Sequence, residues 1–146
     1  DEDAITAFAE VFYDALFTET PAARAMFGED VASQAEKLAK MLDTAIGLLS
    51  KDTDTLVKAL TDLATRHHKY GVKPAHYSLV GTALITALKI TLGEDLFTDN
   101  VNDAYVHLYS QIVNVMLPIT YKMCKDEEAP NAEIDEPEMS DETRPR

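Results

Sequence analysis

The segment His67-His68-Lys69-Tyr70-Gly71-Val72-Lys73-Pro74 decides the fold of this chain. Leu56, Leu60, Leu63 and His67 recur at i, i+4, i+7 and i+11, which puts the histidine on the buried face of a helix. The glycine ends that helix and the proline opens the next. A buried imidazole needs a partner for each ring nitrogen, and a metal ion is one such partner. Taken alone, the segment favours a structural histidine over a metal ligand.

The composition of the chain indicates a single domain. It has 146 residues, of which 46% are hydrophobic, enough to bury one core. No run of about 18 apolar residues exists, so no membrane crossing is predicted. The start Asp1-Glu2-Asp3 is acidic and polar, which argues against a secretory signal peptide.

Charge and cysteine content restrict the partners and the compartment. The net charge of −13 would repel nucleic acids and anionic membranes, so neither is expected as a partner. Cys124 is the only cysteine, which excludes an internal disulfide framework and fits a reducing compartment. We therefore predict a cytoplasmic location, and the sequence leaves the oligomeric state open.

The last part of the chain differs in composition from the rest. Residues 125–146 contain nine acidic and three basic residues, three of the six prolines and almost no large apolar side chain. Such a segment cannot bury enough surface to offset its ordering entropy. The sequence predicts a domain at residues 1–124 and an acidic, disordered tail or linker at 125–146. This tail either is a solvated extension or docks on a partner.

The first 124 residues show helical periodicity and no alternation typical of strands. Apolar stripes predict helices at about residues 5–16, 31–49, 53–70 and 74–93, and from 98 onward. A short helix with proline at its first position is predicted at 21–27. Thr20, Thr53 and Thr98 are candidate caps, and Pro118 should kink or end the last helix. The predicted fold class is all-α.

Two polar residues occupy predicted buried faces. Gln34 precedes Leu38 by four residues, and Tyr13 adjoins Phe12 on an apolar stripe. Each has an ordinary interpretation, as a surface amide and as a tyrosine whose hydroxyl reaches the rim. Together with His67, however, they describe a pocket with a histidine on one wall and two hydrogen-bond donors on the other. That arrangement suits a flat metal cofactor between helices.

Five segments of the chain resemble the globins, and most closely bacterial single-domain globins and the haem domains of flavohaemoglobins. These segments are FYDALF at 12–17, PAARAMF at 21–27, SQAEKL at 33–38, RHHKYGVKP at 66–74 and HYSLVG at 76–81. The resemblance covers roughly residues 5–120 in the family's order. It implies a globin fold around a haem pocket, with a shortened N-terminal helix.

The resemblance implies a role for each matched residue. His67 would be the proximal ligand of haem b iron, with its other ring nitrogen donating to a carbonyl one turn earlier or to Tyr77. Tyr13 and Gln34 would form the distal pair that contacts a diatomic ligand (O2, NO or CO). The pocket would also contain Phe27 on the porphyrin face, Leu38 beside the ligand, Lys37 near a propionate, and Leu63, Val72, Tyr77 and Val80 along the wall.

The function implied by the resemblance is reversible binding of diatomic ligands. Two donors would hold O2, which gains negative charge at ferrous haem, more strongly than CO, so slow O2 release is expected. Three alternatives remain. The chain could dioxygenate NO with electrons from an external reductase, or it could be a gas-sensor domain of a longer chain. It could also be an interaction protein with a globin-like fold and no haem.

The chain departs from flavohaemoglobins in three places. They carry a glutamate late in the last helix, coupled through a tyrosine to the proximal histidine, and here the matching stretch is Pro118-Ile119-Thr120. Only twelve residues precede Tyr13, so the family's first helix would be mostly absent or merged with the second. The connection from Phe27 to Gln34 is short, which would either pull the distal helix inward or let the amide swing out of the pocket and leave Tyr13 as the main donor.

Overall fold

The regular elements of this chain are helices throughout the part that the structure, a computed structural model, describes (residues 2–28 and 30–132). Five α-helices are α1 (Glu2–Glu19), α2 (Val31–Leu49), α3 (Thr53–Lys69), α4 (His76–Leu96) and α5 (Asp99–Ala132). A 3-10 helix at Pro21–Met26 joins α1 to α2. The all-α prediction is confirmed.

Carboxylates and a hydroxyl cap three of the helices. Asp30 accepts a hydrogen bond from the backbone N–H of Ser33 at 3.0 Å, and Thr98 accepts one from Val101 at 3.3 Å. The cap of α3 is Asp52 rather than the expected Thr53. Its carboxylate accepts from both the N–H and the hydroxyl of Thr55, at 3.1 and 2.6 Å, and these bonds lower the pKa of Asp52.

The expected cap at Thr20 is not made by its side chain. The residue stands before the 3-10 helix with no capping hydrogen bond from its hydroxyl. That hydroxyl is buried without a hydrogen-bond partner among the described residues. The proline at the first helical position and its fixed φ remain as the local reason for a helix here.

Two packed pairs of helices organise the core. The helix α1 packs against both α4 and α2, while α3 packs mainly against α5, and α4 also contacts α5. Each helix supplies its apolar face to one shared cluster. Its members include Phe12 and Leu16 of α1, Leu42 of α2, Leu60 of α3, Leu84 of α4 and Ile112 of α5.

A glycine lets α4 and α5 approach closely. A Cβ atom on Gly81 would lie only 2.5 Å from the Tyr109 ring, so the tyrosine occupies the space that any other residue would need. The Tyr109 hydroxyl donates a short hydrogen bond to the backbone carbonyl of Tyr77. The close approach therefore fixes the first turn of α4 to the middle of α5.

The last helix continues beyond the proline that was expected to kink or end it. Pro118 does not end the helix, because α5 runs past this residue to Ala132. The tail expected from residue 125 therefore begins with further helical residues, and 133–146 lie outside the described residues. A side-chain contact with α3 holds this extension, because Glu127 pairs with His68 at 2.6 Å.

A helix that crosses a membrane must be both long and apolar. In the described part of the chain, no helix is long and apolar enough to do so.

Candidate functional site

The hydrogen bond of His67 fixes which of its nitrogens can bind a metal. Its Nδ1 lies 2.9 Å from the Leu63 carbonyl, one turn earlier in α3. A carbonyl only accepts, so Nδ1 carries the proton and Nε2 keeps its lone pair. Desolvation lowers the pKa of His67, and this outweighs the opposing effect of the Leu63 bond. The imidazole is therefore held neutral, with Nε2 as a ready metal ligand.

The backbone after His67 forms a Schellman motif that holds this part of the site. The N–H of Val72 bonds to the His67 carbonyl at 3.1 Å, and that of Gly71 to the His68 carbonyl at 3.0 Å. Gly71 has a φ of 88°, in the left-handed region that the motif requires. The motif turns the chain so that Val72 packs back on the core beside the histidine.

Tyr77 turns away from His67 and bonds to the last helix. Its hydroxyl lies 2.9 Å from the Thr120 hydroxyl, which in turn donates to the Met116 carbonyl at 3.2 Å. Because the threonine proton goes to the carbonyl, Tyr77 is the donor. Of the two acceptors expected for His67, the structure has the Leu63 carbonyl. Burial raises the pKa of Tyr77, so its hydroxyl stays protonated.

Thr120 is a buried polar residue that bonds to Tyr77 and is not among the residues predicted for the site. Its side chain is completely buried, at 0% exposure, in the stretch that matches the flavohaemoglobin glutamate. The signal was present in the sequence, since Ile112, Met116 and Thr120 recur at i, i+4 and i+8 on one apolar stripe. A hydroxyl on such a stripe needs a buried hydrogen-bond partner, as does the amide of Gln34 on its own stripe.

Tyr13 lies among aromatic rings of α1 and its neighbours. Its side chain is 4% exposed, and the ring contacts Phe12, Phe17 and Phe27 at centroid distances of 4.9, 5.6 and 5.3 Å. Its hydroxyl makes no hydrogen bond to any described residue. Desolvation raises the pKa of Tyr13 to about 12. Tyr13 therefore offers a neutral phenol whose proton is not committed to the protein.

The other predicted distal and edge residues lie on the first turns of α2. Gln34 is half-buried, and its side chain has no hydrogen-bond partner in the described part of the chain. Lys37 is exposed, while Leu38 is half-buried and packs against the core. The helix α2 packs against α1, the helix that carries the aromatic cluster around Tyr13.

The predicted wall residues belong to the apolar core to which all five helices contribute. Tyr13 and Tyr77 are among its buried members, and the half-buried residues packed against it include Phe27, Leu38, Leu63, Val72 and Val80. Two cavities lie away from these residues. One, of about 340 Å³, is lined by Ile46, Leu49, Ser50, Ala104, Tyr105 and Leu108; the other, of about 520 Å³, is a shallow one at Glu10, Val11, Asp14 and Ile90.

The donor set of this region fits a haem. It provides one neutral imidazole with a lone pair on Nε2, one buried phenol with an uncommitted proton, and half-buried apolar side chains that a flat ligand would cover. An imidazole that can ligate iron and hydrogen-bond donors for a small ligand are the groups that a ligand-binding haem uses.

Comparison with known proteins identifies the family. The sequence model of the Globin family matches residues 10–116. A flavohemoprotein of Burkholderia sp. (strain TH2) is 25% identical over 109 residues, which are 73% of this chain but only 28% of that protein. Neuroglobin of Tetraodon nigroviridis is 31% identical over 80 residues, 55% of this chain and 49% of that one.

A solved structure adds to these matches. The crystal structure of the closed form of the HGbRL globin domain is 32% identical in sequence to this chain. The alignment covers 83% of this chain and 86% of that domain, and its TM-score is 0.47. The family predicted from the sequence is confirmed by the family match, which spans most of the chain. The chain belongs to the globin family, and membership of that family implies that it binds haem.

Proposed function

We propose that this chain binds haem b through Nε2 of His67 and holds O2 with the help of Tyr13 and Gln34. The observation that carries the proposal is the hydrogen bond from His67 to the Leu63 carbonyl, because it leaves Nε2 with a lone pair on the buried side of α3. Ferrous haem, when bound, supplies a site for O2, NO and CO. The single cysteine excludes the two-cysteine attachment of c-type haem, which supports a non-covalent group.

The distal side supports O2 over CO. The pKa of about 12 keeps Tyr13 protonated at every physiological pH, so the phenol can always donate. A hydrogen bond to a charged acceptor contributes roughly 1.5–3 kcal/mol, and O2 at ferrous haem gains more negative charge than CO does. Gln34 would add a second donor, weaker because its half-buried side chain has more freedom. Slow O2 release follows, which suits ligand capture better than delivery.

The proximal side supports reversible ligand binding rather than O–O bond cleavage. His67 donates to a neutral carbonyl, and Tyr77 donates to the neutral hydroxyl of Thr120. Neither bond would place negative charge on the imidazole, so neither would strengthen the electron donation to iron that O–O chemistry needs.

NO dioxygenation is the second candidate, and similarity to flavohemoproteins is what favours it. The chain spans 28% of the length of that relative, so the activity would need electrons from an external reductase. Mixing the reduced, O2-equilibrated protein with NO and measuring nitrate separates turnover from binding.

The proposal is tested by absorption spectra of the purified protein in its ferric, ferrous and CO-bound forms. A Soret band that shifts with each form is expected. His67→Ala should lose or badly weaken haem retention, while His68→Ala should keep it, because the Nδ1 of His68 faces Cys124 instead of the apolar cluster. Haem retention in His67→Ala together with loss in His68→Ala would move the ligand by one residue. The absence of any Soret band would favour an interaction protein without haem.

A further inference from the structure

His68 lies between two residues of α5 that the haem site does not use. Its side chain is 7% exposed, with Nε2 at 2.6 Å from the Glu127 carboxylate and Nδ1 at 4.0 Å from the sulfur of Cys124. Cys124 and Glu127 are three residues apart, so they share one face of α5. We name Cys124, His68 and Glu127 the α5 triad.

The carboxylate determines the tautomer of His68. An ionised Glu127 can only accept, so Nε2 of His68 carries the proton and donates it. In the neutral imidazole the lone pair then lies on Nδ1, the nitrogen that faces the sulfur. In their neutral forms the adjacent histidines are thus opposite tautomers, with the lone pair of His67 on Nε2 and that of His68 on Nδ1.

The same geometry argues against a metal ion in the triad. The sulfur and the carboxylate approach opposite nitrogens of one ring, so a single ion cannot bind both residues together with His68. Among the described residues, no three His, Cys, Asp or Glu side chains are grouped to hold a metal. A nucleophile, a base within reach and a third group that orients the base are instead the parts of an activated thiol.

We propose that Cys124 is a peroxide-reactive thiol, with His68 as its proton acceptor and Glu127 as the positioning residue. Cys124 is a half-buried residue, which leaves room for the approach of a small oxidant such as hydrogen peroxide. As sulfur attacks one peroxide oxygen, the S–O bond forms, the O–O bond breaks and Nδ1 takes the thiol proton. The leaving hydroxide recovers that proton from His68 as water. The thiol is oxidised by two electrons to a sulfenic acid, and the peroxide is reduced to water.

The triad also lies where oxidation of Cys124 would affect the contact between α5 and α3. Cys124 and Glu127 belong to the extension of α5 beyond Pro118, and the pair formed by Glu127 and His68 ties this extension to α3. A sulfenic oxygen on Cys124 adds a polar atom next to His68, one residue from the predicted iron ligand. The proposal itself requires no haem, so it stands or falls independently of the proposed function.

The test uses the full chain with haem as isolated. Sulfenic acid at Cys124 is trapped with dimedone during exposure to hydrogen peroxide and quantified by mass spectrometry. Alkylation by iodoacetamide, which does not consume haem, is timed in parallel. The wild-type thiol should react at least tenfold faster than glutathione with both reagents, because positioned general bases contribute on the order of a hundredfold or more.

Two variants and two matched controls separate the roles. His68→Gln removes the base and should slow both reactions about tenfold or more; Glu127→Gln, at an exposed position, should slow them less. His107→Gln and Glu128→Gln, exposed on the same helix, should react at the wild-type rate. Thermal melting followed by circular dichroism verifies the fold of each variant.

Two outcomes would overturn the proposal. One is a wild-type thiol that reacts no faster than glutathione, a result that needs no variant. The other is a folded His68→Gln that reacts at the wild-type rate. A fall in melting temperature in Glu127→Gln with no change in either rate would reduce Glu127 to a purely structural tether and would equally contradict its positioning role.

Discussion

Replacing Tyr13 by phenylalanine should leave the stability of the fold unchanged and lower O2 retention. The ring contacts with Phe12, Phe17 and Phe27 do not involve the hydroxyl, which makes no hydrogen bond to any described residue. The hydroxyl is also not among the buried polar atoms that lack a partner, so its removal neither breaks a hydrogen bond nor relieves an unsatisfied buried group. The apoprotein with Tyr13→Phe should therefore unfold at about the same denaturant concentration as the wild type.

Oxygen retention should fall in the same variant. Tyr13 is the better fixed of the two donors, so its loss removes most of the stabilisation of a charged acceptor, roughly 1.5–3 kcal/mol. At 1.4 kcal/mol for each factor of ten, O2 dissociation should accelerate about ten- to a hundredfold. Gln34→Leu should accelerate it in the same direction by a smaller factor, because the half-buried amide is less well ordered.

Stopped-flow displacement of O2 by CO measures the dissociation rate, and CO dissociation from the same samples is the internal control. Tyr105→Phe, a half-buried tyrosine in another part of the fold, controls for the loss of a phenol as such. An O2 dissociation rate unchanged in Tyr13→Phe would refute the distal assignment. Equal acceleration of O2 and CO would indicate a change in pocket shape instead of a lost hydrogen bond.

Three further predictions concern the fold and the proximal side. Thr120→Val should lower the free energy of unfolding by about 1–3 kcal/mol, because the Tyr77 hydroxyl loses its buried acceptor, and adding Tyr77→Phe should recover part of that loss in a double-mutant cycle. Gly81→Ala should lower the free energy of unfolding by about 1–3 kcal/mol, because its Cβ would lie 2.5 Å from the ring of Tyr109. Its control is Gly47→Ala, which has open space around it and should raise the free energy of unfolding by up to about 1 kcal/mol. Denaturant titrations measure both. The pKa of His67 is lowered in the folded state, so on acidification the unfolded chain binds a proton at this residue before the folded chain does. The contribution of His67 to the free energy of unfolding of the apoprotein should therefore be fully present above about pH 6.5 and be lost as the pH drops through the folded pKa. His67→Gln should have a shallower pH dependence in that range, and an unchanged slope would contradict the assignment.

The local part of the fold was predictable from the sequence. The helix predicted at 31–49 is α2 with the same bounds, and the φ of Gly71 confirms the predicted end of α3. Both follow from signals within a few residues, namely helical periodicity and a glycine at a helix terminus. The cap of α3 was wrong by one residue because Asp52 and Thr53 are both good caps, and only geometry selects between them.

Contacts between distant residues could not be predicted in this way. Tyr77 and Thr120 are 43 residues apart, and His68 and Glu127 are 59 apart. Neither pairing leaves a periodic signal, and an acidic, proline-containing segment from residue 125 is typical of a chain that cannot bury a core. The hydrogen bond between His68 and Glu127 and the packing of α5 on α3 are the contacts that hold this part of α5, which runs to Ala132. The roles of the predicted site residues remain predictions.

The hydrogen bonds that orient His67 all lie within ten residues of sequence. The side chain is held by the carbonyl of Leu63, and the backbone carbonyl accepts from Tyr70 and Val72. Contacts of such short range form early, before distant helices have to meet. The imidazole is therefore oriented by α3 and its terminal turn without help from α2 or α5. An incoming haem would meet a ligand already aligned, and the ordering entropy of that ligand would have been lost during folding rather than at capture.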